Sequence, residues 1–356
     1  MLKVRYSLAK LRTDYYLSGI NQRLDRNQRI PSPAYVVWDC TRRCNLKCIH
    51  CGATKETYDH EISTEQIRSL LDELSALKVK MFGVTGGEPL LRNDLLEVLM
   101  YAKNLGMQTG IATNGLLIDR LMAARMRDSG VDSIQVSLDG LERTHNRIRG
   151  SEISFIKAAH ALEHLAAVRI PRISVATTVT NKNISELGEL GQWLQKSGVK
   201  LWRLAVVMPI GRAQASDLSI NGQQLTGLLE YIRVNDRKGM RIYLGENLPF
   251  LGEWEKKVRS GPLICPIGIT ACCIGVNGSV RGCPEQPDIS ANREGSILKR
   301  SFAEIWQNGF LKYRRRTILI EDEKCSQCIS NDACYGGCWV MRINKQHCIY
   351  SLLSRA

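Results

Sequence analysis

Between Pro33 and about Met208, short runs of β-branched and aromatic residues alternate with stretches whose apolar positions recur every three or four residues. That alternation predicts parallel strands joined by crossover helices. Six strands are read: Ala34–Cys40, Lys80–Gly86, Met107–Thr113, Val131–Leu138, Arg172–Val179 and Leu201–Met208. The first crossover helix shows the pattern clearly. Ser63 is its cap, Gln66 completes a capping box, and Ile67, Leu70, Leu71, Leu74 and Leu77 form one apolar stripe. Six parallel strands predict an α/β architecture, an open, partial (β/α)6 TIM-type barrel. Helical material with a short strand at Arg241–Gly245 then leads, past Gly261 and Pro262, into a cysteine-rich C-terminal domain. The expected divisions are a basic amphipathic extension (1–32), the barrel (33–215), a connecting segment (216–260) and the cysteine-rich domain (261–356). The extension is expected to pack on the barrel.

Composition narrows the class. With 44% hydrophobic and 24% charged residues in 356, the chain reads as a folded protein of two or three units, with no internal repeat. A formal charge of +14 raises nucleic-acid or membrane binding. Ligating thiols are deprotonated, however, and cubane clusters would bring roughly five negative charges, which leaves a moderately basic protein and no argument for a nucleic-acid partner. No stretch approaches the roughly 18 apolar residues of a membrane span. The first residues lack the apolar core of a secretory signal, so a reducing cytoplasm is expected, where clustered cysteines bind metal rather than pair as disulfides.

Thirteen cysteines stand in short-spaced groups. Cys44, Cys48 and Cys51 form a C-x3-C-x2-C loop directly after the first strand. Three thiolates would hold three irons of a cubane and leave the fourth open to another ligand, although zinc or a ferredoxin-type site would use the same residues. After the second strand come Gly86, Gly87, Glu88 and Pro89. A glycine pair lets backbone carbonyls approach a ligand closely, and a carboxylate receives an ammonium. Both motifs sit where a parallel barrel places its chemistry, at the carboxyl ends of the strands.

Together these residues resemble the radical S-adenosylmethionine (SAM) superfamily, in which SAM chelates the open iron and a glycine-rich element contacts its amino group. The resemblance implies that Asn114, Ser137 and Asp139 meet the ribose or methionine part of SAM and that His50 lies near the adenine. Further on, Cys265, Gly278 and Cys283, then Cys325, Cys328, Cys334, Cys338 and Cys348, resemble the seven-cysteine SPASM extension of that superfamily, and the doublet Cys272 and Cys273 is a departure from it. This implies two auxiliary 4Fe-4S clusters, three clusters in all. Cys265, Cys283, Cys338 and one of Cys272 or Cys273 would bind one; Cys325, Cys328, Cys334 and Cys348 would bind the other. Zinc sites remain the rival, and Cys40 is read as a packing thiol.

The implied chemistry is reductive cleavage of SAM to a 5'-deoxyadenosyl radical, which takes hydrogen from a substrate. The resemblance further implies an electron donor such as flavodoxin or ferredoxin. The preferred substrate is a peptide or protein side chain, crosslinked or oxidised, lying in a cleft between the barrel mouth and the cysteine-rich domain, where an extended chain could join an exposed strand edge. The alternatives are a tetrapyrrole or other small molecule, and a non-catalytic iron-sulfur sensor. Glu285, two residues after Cys283, is the candidate catalytic base, since some relatives place a carboxylate beside the corresponding cysteine.

Overall fold

Side-chain alternation along the first strand divides the molecule. In the computed structural model, which describes residues 2–52, 60–342 and 348–353, strand β1 (Tyr35–Asp39) turns Val36 and Trp38 into a fully buried apolar layer beneath the helices. Tyr35, Val37 and Asp39 line the interior cavity instead. Strands β2 (Met81–Thr85), β3 (Gln108–Thr113), β4 (Ser133–Ser137), β5 (Arg172–Val179) and β6 (Leu201–Val206) follow in sequence order, each parallel to the one before. These are the six strands expected.

Helix α1 (Leu2–Asp25) precedes β1, and α2 (Thr64–Ala76), α3 (Leu95–Asn104), α4 (Arg120–Asp128), α5 (Glu142–Arg149), α6 (Ser154–Ala167) and α7 (Leu187–Lys196) lie between the strands. The capping box of α2 forms as expected. The Ser63 hydroxyl accepts the Gln66 amide at 3.2 Å, and the Gln66 side chain accepts the Ser63 amide at 2.8 Å. Ile67, Leu70, Leu71 and Leu74 are buried beneath it.

The sheet is larger than six strands. After helix α8 (Gly222–Asn235), β7 (Arg241–Leu244) pairs in parallel with β6, so the connecting segment continues the barrel. On the other side β8 (Ala271–Ile274) pairs in parallel with β1, and β9 (Ser279–Arg281) and β10 (Arg293–Ser296) add antiparallel strands. The edge of β1 is therefore taken by the chain's own C-terminal region, and among the described residues the outer strands are β7 and β10.

The N-terminal extension is a helix, but its contacts correct the sequence reading. Leu17 and Ile20 pack with Ile269 and Tyr335 of the cysteine-rich region, and Asp14 accepts the Tyr335 hydroxyl, while Leu8, Leu11 and Tyr15 stay exposed. The buried apolar residues of the helix lie in its last turns, and these face the cysteine-rich region. Among the described residues no helix is long and apolar enough to cross a membrane.

Small residues open part of the barrel interior: Gly110, Ala112, Ser133 and Ser174 line the cavity, and the Tyr35 ring lies across Gly83, where a Cβ would meet its hydroxyl at 2.2 Å. A closed TIM barrel fills this space with branched side chains. Here a cavity of about 1390 Å³ remains.

The turn after β4 is fastened from below by α5. The backbone amide of Asp139 donates to Nδ1 of buried His145 at 2.9 Å, so that nitrogen must be unprotonated. Burial chiefly, opposed by Asp139 and helped by Arg149 and His50, pulls the His145 pKa down to about 3. The unfolded chain then binds a proton that the folded chain refuses. Its contribution is full above pH 6.5 and falls by about 1.4 kcal/mol per pH unit as pH drops toward 4. Urea denaturation of wild type and His145→Gln across pH 7 to 4 should show their stability difference shrinking with acidity. A difference that stays constant would contradict a neutral, buried imidazole.

Candidate functional site

The cysteine loop leaves β1 at Cys40 and is locked by backbone bonds to its neighbours. The Gly87 amide donates to the Thr41 carbonyl at 2.6 Å, and the Glu88 amide donates to the Arg43 carbonyl at 2.8 Å. The approach is close enough that a Cβ on Gly87 would stand 2.2 Å from the Arg43 oxygen. From the other side the Arg212 amide donates to the Cys51 carbonyl at 3.0 Å, and Arg212 Nε donates to the Cys48 carbonyl at 2.7 Å. Gly211, at φ +57°, sits where a Cβ would lie 2.7 Å from the Cys51 and Gly52 oxygens. The segment Met208–Ala213 is thus the outer clamp of the cysteine loop.

Cys44, Cys48 and Cys51 all line the cavity. Burial pushes the Cys48 thiol up, Arg149 opposes this, and Asp139, Cys51 and Cys44 add to it. Cys44 is likewise raised, first by burial, then by Glu88 and Cys51 against the Leu46 amide and Arg149. The three thiols therefore lie within one another's field. Among the described residues no three His, Cys, Asp or Glu side chains converge as ligands of a single ion. A cubane needs no such convergence, because each thiolate takes a separate iron. Three thiols spread along one wall of a roomy cavity fit that group.

Gly86 and Gly87 line the same cavity. Glu88 and Pro89 do not. The carboxylate expected to meet an ammonium is fully buried and accepts from the Thr113 hydroxyl (2.7 Å), the Asn114 amide (2.8 Å) and the Leu90 amide (3.2 Å), tying the turn after β2 to the turn after β3. Asn114 lines the cavity while donating to Asn45 of the cysteine loop at 2.7 Å. Ser137 also faces the cavity.

Asp139 departs from its expected contact with SAM. It is fully buried, and its Oδ2 accepts Arg149 Nε at 2.6 Å and lies 2.8 Å from His50 Nε2, while Oδ1 accepts the Thr178 amide at 2.9 Å. These contacts, Arg149 first, outweigh burial and hold its carboxyl far below the usual range. His50 lines the cavity, fixed by this carboxylate. Sequence reasoning missed Arg149. As the last residue of α5, before the helix-ending Gly150 at φ +70°, it reads as a cation complementing the helix dipole.

In the C-terminal region burial chiefly raises the thiols of Cys265, Cys283 and Cys338, Cys338 to about 12, and Cys265 adds to the rise at the other two. Cys283 feels both Cys265 and Cys338. Strand alternation separates the doublet. Cys272, in register with Val36, belongs to the apolar core, and Cys273, in register with Val37, lies near Arg281 and Asp39. Cys325, Cys328, Cys334 and Cys348 form a second group. Burial, then Cys348, Cys325 and Cys328, push Cys334 up to about 11. Cys40 is fully buried in the core, as expected of a packing thiol.

Glu285 reaches the cysteine loop. A Cβ on Gly52 would stand 2.7 Å from its Oε2, and the side chain lines the cavity. Burial raises its carboxyl pKa; Arg203 opposes this, Asp39 adds to it, and Arg42 and Arg281 oppose it further. Beneath it Arg281 is fully buried and pairs with Asp39 and Asp288, while Asp39 also pairs with Arg42 at 3.0 Å. This ion ladder ties the end of β1 to the cysteine-rich region, where breaking one member would cost about 3–5 kcal/mol.

Residues 38–194 match the model of the Radical SAM superfamily. The chain is 29% identical to the Fe-coproporphyrin III synthase of Methanosarcina barkeri over 332 residues, 85% of this chain and 82% of that protein. It is also 29% identical to the mycofactocin maturase MftC of Mycolicibacterium smegmatis over 313 residues, 87% of this chain and 79% of that protein. The fold is shared with Streptococcus suis SuiB bound to its precursor peptide SuiA (TM-score 0.73, 16% identity, 92% of this chain and 77% of that one). It is shared too with anSMEcpe bearing AdoMet (TM-score 0.70, 19% identity, 91% and 95%). With the cysteine loop and the glycine pair inside the matched span and facing one cavity, residues 38–194 form a domain of the radical SAM superfamily, and the cysteine-rich C-terminal region follows it.

Proposed function

We propose that the chain is a three-cluster maturase acting on a peptide or protein side chain. Bound together, the 4Fe-4S cluster and SAM supply a 5'-deoxyadenosyl radical that takes hydrogen from the substrate. The protein supplies the rest. Cys44, Cys48 and Cys51 would hold the cluster, with Gly86, Gly87, Asn114, Ser137 and His50 around SAM. Cys265, Cys283 and Cys338, with one of Cys272 or Cys273, would hold one auxiliary cluster, and Cys325, Cys328, Cys334 and Cys348 the other.

The observation that carries the reading is the shared cavity: Glu285, from the cysteine-rich region, meets the loop of Cys51 and Gly52 inside a space of about 1390 Å³. That space is large enough for SAM and a substrate side chain together. Glu285 would take a proton from the substrate, its raised pKa suiting a base. The reaction is expected in the cytoplasm, with reducing equivalents from a flavodoxin or ferredoxin. A tetrapyrrole is the second reading. It is favoured by the likeness to Fe-coproporphyrin III synthase and by a cavity lined with Arg42, Arg43, Arg149, Arg172, Arg203 and Arg212 against the acids Asp39, Glu61, Glu246 and Glu285. That lining suits any ligand rich in carboxylates.

Anaerobic reconstitution should saturate at roughly twelve irons per chain, four for each cubane. The Cys44→Ala/Cys48→Ala/Cys51→Ala variant should keep about eight and release no 5'-deoxyadenosine. A wild-type value near four irons, or stoichiometric zinc, rejects the auxiliary clusters.

Glu285→Gln should leave 5'-deoxyadenosine release intact and cut product yield by about 10²-fold or more. Normal yield would remove Glu285 from the chemistry.

For the substrate, mass spectrometry of peptides encoded beside the gene and of porphyrinoids, each incubated with enzyme, SAM and reductant, should show a mass change in a peptide. Loss of carbon dioxide from a porphyrinoid, with every peptide unchanged, overturns the preferred reading in favour of the second.

A further inference from the structure

The end of α5 is stitched to the cysteine loop. The Ile49 amide donates to the Ile148 carbonyl at 2.9 Å, and a Cβ on Gly150 would lie 3.4 Å from the Lys47 oxygen. The residue between those two contacts, Arg149, is therefore held in register with Cys48. Its guanidinium spans two groups: Nε donates to Asp139 Oδ2 at 2.6 Å, and Nη1 lies 3.8 Å from Cys48 Sγ, within hydrogen-bond range for sulfur. Asp139 cannot swing away, because the Thr178 amide and His50 hold its other contacts. A planar fork with one tine pinned to a fixed carboxylate has little freedom to leave the sulfur.

We infer that Arg149 is a positioning residue that raises the reduction potential of the cluster held by Cys44, Cys48 and Cys51, by donating a hydrogen bond to the Cys48 thiolate. Reduction adds a negative charge to a cluster that already carries its thiolates. A cationic donor at a ligating sulfur stabilises the reduced form more than the oxidised one, and hydrogen bonds to sulfur are among the levers that set such potentials. The effect is strengthened by burial, since Arg149 is only 9% exposed and little water competes for the bond. Asp139 and His50 act one step back, as the brace that keeps the guanidinium aimed. The inference rests on the assignment of the cysteine loop as the cluster site.

The test is a redox titration of the reconstituted full-length protein without SAM, read by electron paramagnetic resonance of the reduced cluster whose signal changes when SAM is then added. Arg149→Met should shift that potential to more negative values, and Arg149→Lys, which keeps the charge but loses the fork, should fall between. Removing Arg149 also uncovers the Asp139 charge, so the double variant Arg149→Met/Asp139→Asn separates the two effects. Its potential should stay below wild type. A double variant that returns to the wild-type value, or an unchanged Arg149→Met, overturns the hydrogen bond as the cause. Iron content and circular dichroism of each variant show that the cluster and fold are retained, and Arg149→Lys carries the comparison if Arg149→Met loads poorly. A wild-type protein with no SAM-responsive signal would instead bring down the cluster assignment itself.

Discussion

Two carbonyl oxygens, those of Thr41 and Arg43, carry the weight of the site. Each accepts an amide from the turn after β2, and this pair of bonds decides where the cysteine loop stands relative to the glycines. The geometry is available only because Gly87 has no Cβ. Glu88 then extends the same lock to β3 through Thr113 and Asn114, and Asn114 returns to Asn45 of the cysteine loop. Three loops from three strands are thereby closed into a ring of hydrogen bonds around one wall of the cavity. An array with loose loops could present the same residues without the same spacing, and spacing within a fraction of an ångström is what such a site requires.

The cavity itself follows from side-chain size. Alternation sends Val36 and Trp38 outward into the apolar layer, and many of the inward positions on β3, β4 and β5, Gly110, Ala112, Ser133, Ser137 and Ser174, are small. Closure of the far side comes from the cysteine-rich region, which contributes β8 to the sheet and Glu285 to the lining, joined to β1 by the buried Arg281 and Asp39 pair. The C-terminal region is thus part of the reaction chamber as well as a holder of cysteines.

Much of this was legible in the sequence because it depends on periodicity. The bounds of β5 are those expected, the other five strands fall within a few residues of theirs, and the Ser63 capping box formed as spelled. The cysteine loop and glycine pair were legible as well, since their spacing carries the chemistry. What sequence did not reveal is direction. Glu88 and Asp139 were found, but a carboxylate just past a strand end can face ligand or protein, and both turn into protein because amides and Arg149 wait there. Arg149 was hidden by having an ordinary reason to end a helix. Ala271–Ile274 read as part of a cysteine pattern, and its pairing with β1 depends on a partner far away along the chain.

That pairing bears on how the protein is born. On one side Tyr35 finds its neighbour in Ala271, so through most of synthesis that edge of β1 stays uncovered while β2 to β7 assemble on the other. At ribosomal rates the wait is on the order of ten to fifty seconds. An uncovered edge is a template for pairing with another nascent chain, and contacts so distant in sequence form late. The strand that completes the reaction chamber is therefore also the cap that covers this edge, and truncation before residue 271 would leave a barrel with an unpaired side.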